Sequence, residues 1–205
     1  MSMKLFLASK SSSRKMLLEQ AHIPFTIVGQ DADEAACDWG LPLVQLVQSI
    51  ALYKMDHAIL PLGNREGEHC FVLTADTLSQ DKDGTINGKP VDRADAVAKI
   101  KRARNGSRLC TAFCLDKRVW QQGKWEIVHR EQQQIFAEYI FNVPDQWIET
   151  YLDNSPGLQA SNAIAIEEFG GQFLYEVRGS YTTIVGLPMY ELRQALEQYG
   201  FFQHL

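Results

Sequence analysis

The sequence predicts an α/β protein, and three observations lead there. Short apolar runs rich in aromatic and β-branched residues, such as Lys4-Leu5-Phe6-Leu7-Ala8 and Cys70-Phe71-Val72-Leu73, read as buried strands. They alternate with stretches in which apolar residues recur at helical spacing, as between Leu43 and Ala58. The 205 residues, 45% hydrophobic and 22% charged, carry enough apolar surface for one large domain or two closely packed lobes, and composition marks no boundary within 1–205.

The totals also exclude function classes. A net charge of −5 argues against a general surface for nucleic acid polymers, so any anion site is a local cluster. The Met1-Ser2-Met3-Lys4 start lacks a signal-peptide pattern, and no apolar run approaches the roughly 18 residues of a membrane helix. The expectation is a soluble, cytoplasmic protein without a membrane partner. Cys37, Cys70, Cys110 and Cys114 show no CxxC spacing and read as reduced core thiols. The five histidines are scattered and do not suggest zinc chemistry.

Taken in order, the first strand runs straight into Ser9-Lys10-Ser11-Ser12-Ser13-Arg14-Lys15 and then Met16-Leu17-Leu18. Serines cap helices well, so this is strand, polar loop, helix N-terminus. Free backbone N–H groups and the helix dipole make such a loop an anion site, with Arg14 beside it; a plain serine cap with a solvated arginine reads equally from these residues. Ile23 to Val28 reads as a second strand, and the acidic loop Asp31-Ala32-Asp33-Glu34 follows it. On the helix from Leu43, Lys54 sits at the edge of the apolar stripe, either snorkelling to water or aiming its ammonium into a cleft.

The stretch from Phe71 to Pro90 is the most informative. Its buried strand breaks into Thr74-Ala75-Asp76-Thr77, and a carboxylate where a strand surfaces needs a cationic or protonic partner. Asp81-Lys82-Asp83-Gly84-Thr85 is a turn signal, and a hairpin there would return Lys89 towards the level of Asp76. An ion pair with no further role is the alternative.

Downstream, Ala94 to Arg104 reads as a helix with Lys99, Lys101, Arg102 and Arg104 on a solvated face. Leu109 to Leu115 is a strand, and Trp120 to Trp125 a hairpin, its tryptophans packed across it, leading into a long strand through Phe141. A helix follows from Val143, then the apolar segment Ala163-Ile164-Ala165-Ile166 ending in Glu167, a strand from Phe173 to Val177, a Gly- and hydroxyl-rich loop from Gly179 to Pro188, and a final helix from Met189.

These pieces together resemble the Maf family of nucleoside triphosphate pyrophosphatases, over about Leu5 to Leu192. The resemblance rests on Leu7-Ala8-Ser9-Lys10-Ser11-Ser12-Ser13-Arg14, Ile23-Pro24-Phe25 with Asp33-Glu34, Ala51-Leu52-Tyr53-Lys54, Ala75-Asp76-Thr77, Gly88-Lys89-Pro90, and Gly179-Ser180-Tyr181 with Val185-Gly186-Leu187-Pro188. It implies an α/β fold with an ITPase-like central mixed sheet, two lobes around a deep cleft, and a homodimer. It implies hydrolysis between the α and β phosphates of a nucleoside triphosphate with Mg2+ or Mn2+. Carried across, Asp76 is the metal ligand or general base, with Glu34 the second acidic member. Lys54 and Lys89 join Asp76 in catalysis, and Ser9, Ser11, Arg14, Thr77 and Glu167 bind substrate.

The departures bear on substrate. The family's Ser-Pro-Arg-Arg or Ser-Pro-Tyr-Arg is Ser11-Ser12-Ser13-Arg14 here, Ile-Gln-Gly is Ile166-Glu167-Glu168, and the Thr-Gly pair near Thr111 is missing. Asp76-Thr77 matches the branch acting on dTTP and UTP, whereas Glu167 and the single Arg14 match the branch acting on 7-methyl-GTP. The expected substrates are dTTP, UTP and modified pyrimidine nucleotides, with 7-methyl-GTP hydrolysis or nucleotide binding without turnover as the alternatives.

Overall fold

The computed structural model describes residues 3–204. The chain start read at Met1 and Ser2, and the side chain of His204, lie outside the described residues. In chain order the elements are β1 (Lys4–Leu7), α1 (Ser12–Gln20), β2 (Thr26–Ile27), β3 (Gly29–Gln30), α2 (Leu43–Asp56), β4 (Ala58–Ile59), β5 (His69–Asp81), β6 (Ile86–Asn87), α3 (Arg93–Ala103), β7 (Ser107–Gln121), β8 (Lys124–Phe141), α4 (Ile148–Asn154), β9 (Leu174–Gly179), α5 (Tyr181–Val185) and α6 (Met189–Gln198). One mixed sheet runs β2-β1-β5-β7-β8-β9 with β6 paired to β5, and β3 and β4 make a separate ladder. The α/β architecture with a mixed sheet and flanking helices is therefore the observed one. Among the described residues no helix is long and apolar enough to cross a membrane.

The chain divides into two compact units, one of Met1–Asp76, Ala112–Gln134 and Gly186–Leu205, the other of Thr77–Thr111 and Ile135–Val185. In the first, β1 lies parallel to β5 in the register Leu7↔Leu73, and parallel to β2 on its other side. Leu46, Val47, Ile50, Ala51 and Met55 are the buried stripe of α2, as their helical spacing requires. Met55 joins Phe6, Cys70, Val72 and Cys114 in one core cluster. The β7–β8 hairpin closes through Gln122 (φ 51°) and Gly123 (φ 79°), the positive values that a tight two-residue hairpin turn favours. Trp120 and Trp125 face each other across it with ring centroids 5.2 Å apart.

The second unit packs rings. Phe141 meets Tyr151 at 5.3 Å, and Phe173 contacts both. The apolar segment 163–166, strand-like by composition, forms no strand. Asn162 and Ala163 hold positive φ, and the Tyr151 hydroxyl occupies its backbone, donating to Ala163 O at 2.9 Å and accepting from Ala165 N–H at 2.7 Å. A Cβ on Gly170 would lie 1.8 Å from Ala165 O, so only glycine fits there.

Several boundaries differ from the sequence reading. Helix α1 starts at Ser12 because Ser11 caps it, and the strand expected over Ile23–Val28 is reduced to Thr26–Ile27, with Val28 N–H still donating to Leu7 O at 3.0 Å. The Gly179–Pro188 loop contains the short helix α5. On α3 and at its C-cap the basic residues are engaged: Lys99 is buried against Asp95 at 2.5 Å, Arg102 pairs with Asp81 at 3.1 Å, and Arg104 at the cap donates to Val143 O.

Candidate active site

Two parallel strands of the first unit deliver the site: β1 at its carboxyl end, where α/β sheets bind ligands, and β5 along its middle, where it runs on past Leu73, the last residue paired with β1. Ala8 N–H donates to Leu73 O at 2.9 Å, which sets the Ser9 loop beside the start of Thr74-Ala75-Asp76. In the loop, the Ser9 hydroxyl accepts from Ser11 N–H at 3.2 Å and from Arg14 Nη1 at 3.3 Å. Ser11 Oγ accepts from Arg14 N–H at 3.4 Å as the N-cap of α1. Ser12 therefore stands at the first helical turn, the place where a proline would also be tolerated.

Arg14 is buried and not solvated, so the plain-cap reading fails in this respect. Its Nε donates to Gly186 O at 2.8 Å. Burial pulls the guanidinium down from the usual arginine range, and the charges of Asp76 and Glu34 pull it back up.

Lys54 is likewise buried and does not snorkel. Its Nζ lies 2.7 Å from Asp76 Oδ1 and 2.9 Å from Glu34 Oε1. The placement follows from two periodicities. Thr74 and Asp76 share one face of β5, while Ala51 and Lys54 share one face of α2. Thr74 Oγ1 donates to Ala51 O at 2.8 Å, and this bond locks helix to strand one step away from the ion pair.

Asp76 Oδ2 is buried and has no hydrogen-bond partner among the described residues. A buried carboxylate oxygen left unsatisfied by the protein is costly, and it is the donor a hard divalent cation seeks. Among the described residues no group of three or more His, Cys, Asp or Glu could hold a metal alone. Asp76 with Glu34 fits instead the pattern in which one or two carboxylates share a cation with substrate phosphates.

The structure thus brings Ser9, Ser11, Arg14, Glu34, Lys54 and Asp76 together in the first unit. Thr77, Lys89 and Glu167 belong to the second. The hairpin after β5 forms, but its ladder covers only Ser79↔Asn87 and Gln80↔Ile86. The chain leaves it before Lys89, whose side chain is exposed and whose carbonyl accepts from Lys99 at 3.5 Å. The Thr77 hydroxyl lies 2.9 Å from that of Thr111, which donates to Thr183 O at 2.8 Å. Glu167 is buried, and its charge adds to burial in pushing up the Tyr181 hydroxyl.

Sequence reasoning missed four residues here. Gly186 offers a carbonyl and Thr74 a hydroxyl, neither with a local sequence signal for the role. Trp39 donates its indole N–H to Glu34 O at 3.2 Å. Cys37, expected in the core, is only half-buried; desolvation first and then Asp76 and Glu34 push its thiol up, with Lys54 opposing.

A family description, Maf-like protein, matches residues 4–199. The chain belongs to the Maf family. Among its relatives, this Maf-like chain is 31% identical to a protein of Aromatoleum aromaticum named dTTP/UTP pyrophosphatase, covering 97% of this chain and 96% of the relative. It is 32% identical to one of that name from Dechloromonas aromatica (97% and 98%), and 32% to a nucleoside triphosphate pyrophosphatase of Chlamydia pneumoniae (97% and 95%). A solved HAM1 protein from Coxiella burnetii is similar at a TM-score of 0.49 with 12% identity, over 96% of this chain and 99% of that one. At that level the likeness adds nothing to the fold described above.

Proposed function

We propose that this chain is a nucleoside triphosphate pyrophosphatase that cleaves between the α and β phosphates, with dTTP, UTP and modified pyrimidine nucleotides as substrates. The observation that carries the reading is the half-satisfied carboxylate of Asp76: one oxygen held by Lys54, the other buried without a partner beside an arginine-bearing loop at a helix N-terminus. The names of its full-length relatives support the same substrates.

In this reading the Ser9–Arg14 loop and Arg14 receive the triphosphate, as helix N-termini and arginine forks do for phosphate generally. Lys54 fixes the rotamer of Asp76, so that Oδ2 faces the reacting groups and orients, or takes the proton of, the attacking water. Attack at the α phosphorus forms the new P–O bond as the bond to the β-phosphate oxygen breaks, and pyrophosphate leaves. Cationic side chains stabilise the charge that gathers on it. A divalent cation, Mg2+ or Mn2+, would be held by Asp76 and Glu34 and would neutralise phosphate charge. Lys89 as a further clamp, Thr77 and Glu167 as base contacts, a cytoplasmic location and a homodimer belong to the same proposal through the family resemblance.

A second reading has one observation in its favour: Glu167 is a buried carboxylate, suited to the N–H edge of guanine or to a cationic methylated base. Pyrophosphate release measured with Mg2+ or Mn2+ across dTTP, UTP, 5-methyl-UTP, GTP and 7-methyl-GTP separates the two. Turnover led by the pyrimidines supports the first, and a preference for 7-methyl-GTP the second. Silence on all five, from folded protein that binds nucleotide, would leave a non-catalytic binding protein.

A further inference from the structure

We propose that Trp39 is a positioning residue that holds Glu34, the exposed carboxylate of the site, at Lys54. The assignment rests on the pyrophosphatase reading above and extends it to a residue outside the Maf-like motifs.

Glu34 stands on a single 3-10 turn, Glu34–Ala36, in which no residue is buried. Core packing therefore does not fix it, and short-range bonds must. Asp33 Oδ1 accepts from Ala35 N–H at 3.1 Å, Ala36 N–H donates to Asp33 O at 3.0 Å, and Cys37 N–H donates to Glu34 O at 3.3 Å. The next turn is equally self-contained: Asp38 Oδ1 accepts from Gly40 N–H at 2.9 Å, and Leu41 N–H donates to Asp38 O at 3.2 Å.

The Trp39 indole ties these two turns together by donating to Glu34 O at 3.2 Å, and among the described residues it is the one side-chain hydrogen bond that does so. Trp39 remains 45% exposed, so it is no core residue, and its indole N–H is spent on the carbonyl of Glu34. The consequence reaches the site directly. The Glu34 side chain, 46% exposed, extends from this unpacked turn to Lys54 Nζ at 2.9 Å, the same ammonium that Asp76 grips from inside β5. One carboxylate of the pair is fixed by the sheet; the other is only as well placed as the turn that bears it.

The test is a double-mutant cycle on binding. Electron paramagnetic resonance follows Mn2+ titrated into the full chain with α,β-imido-dUTP, for wild type, Trp39→Phe, Glu34→Gln and the double variant. Trp39→Leu, which also lacks a donor, repeats the comparison, and melting temperatures are measured for all five. Trp39→Phe should weaken Mn2+ binding about three- to tenfold, the range of one net hydrogen bond. In the Glu34→Gln background the same change should cost nothing further, because Trp39 acts through Glu34. In steady state, the apparent KM for Mn2+ should rise with kcat altered less than about twofold. Unchanged affinity in a Trp39→Phe protein that melts like wild type would overturn the assignment, as would losses that simply multiply in the double variant. Wild-type protein that neither binds Mn2+ with the analogue nor releases pyrophosphate would overturn the catalytic reading itself, which separates that failure from a failure of Trp39 alone.

Discussion

Asp116 on β7 has no exposure, and four N–H groups reach its two oxygens: Arg118 Nε and Nη2 at 3.0 and 2.6 Å, Arg130 Nε and Nη2 at 2.7 and 2.8 Å. Asp76 on β5 is nearly as buried, at 6% exposure, yet Lys54 is its one ion-pair partner among the described residues and its Oδ2 has none. Both carboxylates belong to the first unit, and each has a cysteine close by. Burying a charge costs several kcal/mol, and bonds to both oxygens offset that cost at Asp116. At Asp76 the offset is incomplete by one oxygen. One buried aspartate is saturated and the other is left with an open oxygen, and the proposed role of Asp76 rests on this contrast more than on burial or charge.

The contrast can be broken at either end. The largest effect should come from Asp116→Ala, which strands two arginines: about 3–5 kcal/mol of stability, as when one partner of a buried pair is removed. Thermal unfolding should show it, with pyrophosphate release per folded molecule preserved. A smaller effect is expected from Arg14→Lys, which loses the Nε bond to Gly186 and the planar fork. We expect KM for nucleotide to rise about tenfold to hundredfold, the worth of one charged hydrogen bond, with little change in melting temperature. An unchanged KM would remove Arg14 from the phosphate site.

The two neighbouring thiols sharpen the comparison further. Burial pushes Cys114, beside Asp116, up to about 12, while Cys37, near Asp76, is raised chiefly by desolvation but stays half-exposed. Thiolate is the reactive form, so iodoacetamide at pH 8 should label Cys37 first and leave Cys114 and Cys70 protected in the native protein, as peptide mapping would read. Early labelling of Cys114 would mean that the Asp116 cluster opens readily. The smallest effect belongs to Arg93→Ala, which removes exposed pairs with Glu149 and Asp153. Its melting temperature should move by no more than about 2 °C.

Much of the fold was legible because local rules and tertiary packing agree. The stripe of α2, the strands β1 and β5 taken singly, the Gln122-Gly123 turn and the facing tryptophans all follow from period and turn chemistry in the sequence, whereas the parallel pairing of β1 with β5 does not. The conformation of segment 163–166 was not legible, because its backbone is claimed by one hydroxyl distant in sequence, that of Tyr151. Of the site, the charged residues were legible from their type, although β5 does not break at Asp76 as its sequence suggested but runs on to Asp81. The groups that orient them were not. Gly186 acts through a carbonyl that every residue possesses, Thr74 through a bond to the backbone of Ala51, and Trp39 through an indole that composition counts as apolar. Lys99 shows the same limit on α3, where spacing alone suggested solvent and a carboxylate at i−4 holds the lysine buried.

The central claim is that the open oxygen of Asp76 does chemistry. Asp76→Asn tests it most directly, with pyrophosphate release from dTTP and UTP in Mg2+ measured beside the melting temperature. We predict a rate loss of about 10²–10⁴-fold, the contribution of a positioned acid–base group, together with a melting temperature close to that of wild type, because the amide oxygen can still accept from Lys54, and Glu34 still pairs with that lysine. Near-wild-type turnover would contradict the account. So would a protein destabilised as much as Asp116→Ala, since Asp76 would then be a structural carboxylate like its counterpart.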